Sequence, residues 1–225
     1  ARPDSTLDKK NVYETRTELG VELAREFKKK NIEIDIVVPM PDTSKPAALA
    51  FANEMGKPYI EALIKNRYIY RTFIMLTQDL RDKAMRLKMN PIIKEIKGKR
   101  VALIDDSLVR GTTSRQLIRL VKDAGAKEVH FLLTCPPLIN PCFYGVDMQS
   151  RGELMASKLT VEEIGKSIGA DSLTYQTMEG LERAIGLPLC KACLDGNYPT
   201  GLGNKEIKEL EKTRVKEHED IMAKH

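Results

Sequence analysis

The pattern that most constrains this chain is a recurring pair, a short apolar run followed by a turn and an amphipathic stretch. "IDIVVPMPD" (Ile34 to Asp42) leads into "SKPAALAFANEMG", and "KRVALIDD" leads into a helical pattern from Ser114 to Ala124. "EVHFLLTCPP" then supplies another apolar run. Runs this short and this apolar read as strands buried on both faces. Strands that alternate with helices specify a parallel sheet with covered faces. The expected fold class is therefore α/β, a central and mainly parallel sheet with helices on both faces.

Other segments fit around that frame. Leu19, Leu23 and Phe27 recur at helical spacing within Val12 to Lys30. Thr43 or Ser44 stands where an N-cap is expected, with Pro46 in the first turn and Gly56 as the stop. "PYIEALIKN" (Pro58 to Asn66) reads as a further short strand. Arg67 to Asn90 is long and polar, with scattered apolar residues, as lids and binding loops are. Beyond Pro141 the pattern is irregular. Helices are expected over Thr160 to Ile168 and Glu179 to Ile185, and a charged helix over Lys205 to His225.

Bulk properties remove several classes. No run of about 18 apolar residues exists, so no membrane-spanning helix is expected. There is no signal-peptide pattern, which makes the cytoplasm the expected location. The net charge of +5 is mild, Trp is missing, and no basic block is interleaved with aromatics, which argues against a nucleic-acid reader. The chain opens "ARPDSTLD", without Met, and reads like the middle of something longer.

The chemistry concentrates at "VALIDDSLVRGTTS". In an open α/β sheet, ligands bind beyond the carboxyl ends of the strands, where Asp105 and Asp106 are expected. "RGTTS" leads into a helix, so its N–H groups, its hydroxyls and the helix dipole suit a phosphate. Gly111 permits close approach of the backbone, while the Gly-Lys-Ser/Thr ending of a Walker loop is missing. Two adjacent carboxylates beside a phosphate cradle fit a sugar phosphate, accepting from ribose hydroxyls or binding Mg²⁺. A plain strand end with a capped helix is the competing reading.

"VALIDDSLVRGTTS" resembles the phosphoribosyl-pyrophosphate (PRPP) signature of type I phosphoribosyltransferases. "LIKNRYIYRTFI", "RLKMNPI", "PCFYGVDM" and "IGADSLTYQTMEGL" narrow the likeness to the glutamine PRPP amidotransferases. The resemblance implies that Asp105 and Asp106 contact the ribose and, with Thr43, Mg²⁺. It implies that Arg110, Gly111, Thr112, Thr113 and Ser114 hold the 5′-phosphate, and that Asp42, Thr43 and Ser44 form the pyrophosphate-side loop. Lys65, Asn66 and Arg67 would begin a closing loop, with Arg71, Thr72 and Lys88 in its basic lining. Lys65 and Arg67 join the two carboxylates as expected catalytic groups. The implied reaction is transfer of phosphoribose from PRPP to ammonia, giving 5-phosphoribosylamine and pyrophosphate.

The same resemblance implies a phosphoribosyltransferase domain over residues 1–190, with a cysteine-containing loop and helix over 191–225. It also implies a glutaminase domain or subunit that this chain lacks, a homo-oligomer, and inhibition by purine nucleotides. Some members of the family hold a [4Fe–4S] cluster, and Cys142, Cys190 and Cys193 match three of its four ligands. Cys135 matches none and reads as a buried core thiol. Read as a bare Cys-x-x-Cys, Cys190 and Cys193 also suit zinc or a redox pair. Two other functions stay open from the sequence: a phosphoribosyltransferase acting on a base, and a regulatory protein that binds PRPP without turnover.

Overall fold

The computed structural model describes residues 1–66, 89–146, 148 and 150–222. Its centre is a four-stranded parallel sheet. Strand β3 (Ile36–Pro39) pairs with β6 (Arg100–Asp105), β6 with β7 (Glu128–Leu133), and β7 with β8 (Ser172–Tyr175). Two small antiparallel pairs flank it: β1 (Thr6–Leu7) with β2 (Lys10–Asn11), and β4 (Leu63–Lys65) with β5 (Met89–Pro91).

The expected strand over Pro58 to Asn66 divides in two. Tyr59 makes an isolated parallel bridge to Val37, and only Leu63–Lys65 pairs further, away from the main sheet. Its partner β5 lies more than twenty residues downstream, so local pattern could not assign the pairing.

Both faces of the sheet are covered, as its apolar strands require. On one face, α1 (Val12–Lys28) and α2 (Lys45–Met55) pack together, and α6 (Met178–Ile185) packs on α1. Leu23, Phe27, Val37, Phe51, Ile104 and Leu132 form that core. Phe27 and Phe51 are fully buried with ring centroids 5.7 Å apart, each contributing about 2–3 kcal/mol by burial. On the other face lie α4 (Thr112–Asp123) and α5 (Val161–Ile168), against Leu103, Phe131, Leu133 and Leu173. The short α3 (Ile93–Ile96) leads into β6.

Helix α1 begins at Asn11, whose side chain accepts from the N–H groups of Tyr13 and Glu14. Its seat on α2 depends on Gly20, because a Cβ there would lie 2.1 Å from the Ala47 carbonyl oxygen. Beyond β8 the chain continues through α6, a short helix α7 (Ala192–Asp195) and a long C-terminal helix α8 (Asn204–Met222).

The topology prepares a site. From β3 the chain leaves through α2 to the Tyr59 bridge on one side, whereas from β6 it leaves through α4 to β7 on the other. The loops after β3 and β6 thus diverge, which opens a crevice between the carboxyl ends of these neighbouring strands.

Candidate functional site

Register brings the two loops to the same height. Pro39 stands opposite Ile104, and the Met40 N–H donates to the Ile104 carbonyl at 2.8 Å. One residue later, Asp105 ends β6 opposite Leu133, and the ladder continues as Thr134 and Cys135 donate to the carbonyls of Asp105 and Asp106. The carboxylates are therefore fixed on both sides by backbone bonds before any ligand arrives.

Their electrostatics differ. Asp105 is half-buried, and burial, reinforced by the neighbouring Asp106 charge, pushes its carboxyl up to about 7. Asp106 is exposed, and its N–H donates to Asp105 Oδ1 at 2.8 Å. Across the crevice the Thr43 hydroxyl donates to Asp106 Oδ2 at 3.1 Å. Thr43, Asp105 and Asp106, expected together from sequence, are thus brought together. Two adjacent carboxylates with a hydroxyl beside them are a donor set of oxygens for a hard divalent cation. They fit Mg²⁺ that takes its remaining ligands from water and phosphate.

The loop after β3 is tightly closed. Ser44 is buried at the start of α2, and its hydroxyl donates to the Met40 carbonyl at 2.6 Å instead of capping the helix. Asp42 is exposed and lies 3.8 Å from Lys45. The Pro41–Asp42 peptide bond is cis.

The phosphate-type turn has the predicted shape, although its helix starts two residues earlier than the sequence pattern indicates. Gly111 is the N-cap at φ 71°, so Thr112, Thr113 and Ser114 form the first turn of α4. Gly111 has no side chain with which to cap this helix, and among the described residues no side-chain bond to its first N–H groups is seen, so the positive end of the helix dipole is open there. Thr112 and Thr113 are exposed and Ser114 is buried. Gly111 is needed twice over, for its positive φ and because a Cβ would lie 2.2 Å from Met155 Sδ. Arg110 is exposed but paired with Glu153 at 2.7 Å. A cavity of about 410 Å³ lies beside this pair, lined also by Met155 and Lys158.

A second cavity of about 260 Å³ is bounded by Arg16, Thr43, Ser44, Asp106, Thr134 and Cys135 among others. Arg16, Thr134, Glu153 and Met155 all border the site, yet sequence pattern singles out none of them. They lie on helices and loops remote from the signature, and nothing local marks them.

Lys65 ends β4, exposed; among the described residues no hydrogen bond joins it to Asp105 or Asp106. Arg67, Arg71, Thr72 and Lys88, and nearly all of the expected lid, lie outside the described residues.

The cysteines are near one another but are not a ligand set. Burial raises the Cys193 thiol, and the neighbouring Cys142 and Cys190 add to this. At Cys142 burial also raises the thiol, but N–H groups of Tyr144, Val146 and Gly145, with Arg214, outweigh it and hold it below its usual value. Arg214 also donates to the Cys142 carbonyl at 2.6 Å, tying α8 to this loop. Among the described residues no group of three or more His, Cys, Asp or Glu side chains is gathered to hold a metal ion. No ligand set for an iron–sulfur cluster is therefore assembled among the described residues. Cys135 is half-buried, packed against the small apolar cluster of Leu138, Met148 and Leu154, and burial pushes its thiol up to about 12.

A parallel α/β sheet with a crevice at its strand ends agrees with comparison to known proteins. Residues 8–141 match the family model described as the phosphoribosyl transferase domain. The chain belongs to that family. It is 52% identical over 217 residues to an amidophosphoribosyltransferase of Methanothermobacter thermautotrophicus, which covers 95% of this chain and 45% of that protein. It is 45% identical over 207 residues to the Bacillus subtilis amidophosphoribosyltransferase, covering 89% of this chain and 43% of that protein.

Among solved structures, glutamine PRPP amidotransferase from B. subtilis, complexed with ADP and GMP, superposes with a TM-score of 0.80 at 45% identity. That match covers 88% of this chain and 45% of the other. The fold is thus that of the type I phosphoribosyltransferases, as expected. The chain spans a little under half the length of the relatives it matches. No helix of the described residues is long and apolar enough to cross a membrane.

Proposed function

We propose that this chain carries the phosphoribosyl-transfer half of an amidophosphoribosyltransferase, moving phosphoribose from PRPP to ammonia. The observation that carries the reading is the Thr43–Asp106–Asp105 arrangement at the strand ends, followed five residues on by a glycine-led helix start suited to a phosphate. One PRPP molecule spans both, its 5′-phosphate on the N–H groups of Thr112 to Ser114 and its ribose at the carboxylates. Asp42, Thr43 and Ser44 lie on its pyrophosphate side. Arg110 exchanges Glu153 for the phosphate. The similarity to amidophosphoribosyltransferases across nearly the whole chain favours ammonia over a base as acceptor, and a catalyst over a PRPP-binding regulator.

Chemistry at the ribose follows from this placement. The ammonia lone pair forms a bond to C1 as the C1–oxygen bond to pyrophosphate breaks, and the product amine loses a proton to solvent. Positive charge grows on the ring and negative charge on the leaving group. Asp105 and Asp106 face the first; with Thr43 they would hold Mg²⁺, which would supply charge neutralisation for the second. Lys65 and Arg67, at the start of the closing loop that the resemblance implies, would supply cationic donors to the leaving group. Ammonia is neutral and nucleophilic, so the site needs to exclude water more than it needs a base.

The remaining parts of the activity belong to the same proposal. Glutamine would serve as ammonia source through a glutaminase domain or subunit, and the enzyme would act as a homo-oligomer. Purine nucleotides would act as inhibitors, as the ADP and GMP complex of the B. subtilis protein suggests. No step is assigned to an iron–sulfur cluster, because the three thiols are not gathered to hold one. The test is replacement of Asp105 and Asp106 by Asn. Pyrophosphate release from PRPP should fall by about a thousandfold or more while circular dichroism stays unchanged. Retained turnover in the folded double variant would defeat the assignment.

A further inference from the structure

Arg16 lies on α1, far from the signature in sequence, and is one of the residues lining the cavity beside Asp106. Its Nη1 donates to the Thr43 carbonyl at 3.1 Å, and its Nη2 donates to the Ala1 carbonyl at 3.0 Å. The other end of Thr43, its hydroxyl, donates to Asp106. Thr43 is thus held at both ends, by a cation behind it and a carboxylate in front.

The support behind Arg16 is rigid. It sits one helical turn before Gly20, on the same face of α1, and Gly20 is where α1 touches the backbone of α2 at Ala47. The fork therefore projects over the start of α2 from a fixed base. Two forked donors to two carbonyls are what a planar guanidinium supplies and a lysine ammonium does not.

We propose that Arg16 is a positioning residue for the diphosphate loop. By holding the 43–44 peptide from behind, it aims the Thr43 hydroxyl and backbone into the crevice before PRPP binds, and it ties that loop to the segment at Ala1. The inference rests on the function proposed above. It assigns Arg16 no contact with the substrate; its effect passes through Thr43.

The test compares Arg16→Ala, Arg16→Lys, Thr43→Val and the double variant Arg16→Ala/Thr43→Val in the full-length protein, using PRPP, Mg²⁺ and ammonium. Arg16→Ala should raise KM for PRPP by about tenfold with kcat changed less than about threefold. Arg16→Lys, which keeps one donor, should recover part of that loss. Thr43→Val should cost much less in the Arg16→Ala background than in the wild type, because one chain of contacts is being cut twice.

An unchanged KM in Arg16→Ala, or full additivity with Thr43→Val, would overturn the inference. If Arg16→Ala does not fold, Arg16→Lys decides alone: raised KM at unchanged melting temperature supports the role, and wild-type KM overturns it. Failure of the wild-type protein to bind PRPP by calorimetry would instead overturn the proposed function, and this inference with it.

Discussion

The strand-end crevice and the cysteine-bearing segment make an instructive pair. In the crevice, parallel register sets Thr43, Asp105 and Asp106 within hydrogen-bonding reach although they are more than sixty residues apart. Around Cys142, Cys190 and Cys193 no strand sets the register. These thiols stand on loops and on the four-residue α7, and no metal-holding group forms among them. A sheet delivers side chains to a defined point at little further entropic cost, because the strands that carry them are already ordered. Irregular segments gather side chains only when something else, such as a metal or a partner, holds them.

That contrast can be broken. After loss of the two carboxylates, the largest effect expected is from Gly111→Ala. It forces an L side chain into a left-handed conformation and drives Met155 out of place, costing about 1–2 kcal/mol, or roughly five- to thirtyfold in PRPP affinity. Calorimetric titration with PRPP and Mg²⁺ checks it, and unaltered affinity would mean that the turn does not hold the phosphate.

The next effect is a pH dependence. Asp105 titrates near 7 when folded and near the ordinary aspartate value of about 4 when unfolded. Between these values the folded chain keeps a proton that the unfolded chain has lost, so stability should fall as pH rises through that window and level off above it. Asp105→Asn removes this slope and should be more stable than wild type at pH 8 by about 2 kcal/mol, discounted for partial exposure. Affinity for PRPP with Mg²⁺ should move the other way, weakening toward about tenfold per pH unit below 7, since the cation needs the carboxylate. Denaturant melts and titrations across pH 5–8 measure both. Parallel slopes in wild type and Asp105→Asn would contradict the origin assigned to them.

The smallest effect is expected at the other pole. Replacing Cys142, Cys190 and Cys193 together by Ser should change ammonia-dependent turnover by less than about twofold, because no thiol takes part in the crevice chemistry. A loss above tenfold in a folded triple variant would show that the two regions are coupled.

Legibility in the sequence follows the same divide. Asp105 and Asp106 could be placed because an apolar strand ends at them, and "RGTTS" because a helix pattern follows it. The pairing of β4 with β5 was not legible, since Leu63–Lys65 looks like a strand whose partner could be anywhere. The sequence pattern puts the start of α4 at Ser114 because Thr112 and Thr113 resemble loop residues, whereas Gly111 in the left-handed region lets the helix begin on them. Arg16, Glu153 and Met155 carry no local signal at all. Their neighbourhood with Thr43, Arg110 and Gly111 exists only once the helices are packed.

The most direct measurement is pyrophosphate release from PRPP and Mg²⁺ with ammonium as acceptor, set against the same mixture with free purine or pyrimidine bases. The account predicts release that depends on ammonium, rises with pH as ammonia forms, and gives phosphoribosylamine, with no turnover on the bases. Turnover on a base, or PRPP binding without release under any acceptor, would contradict it.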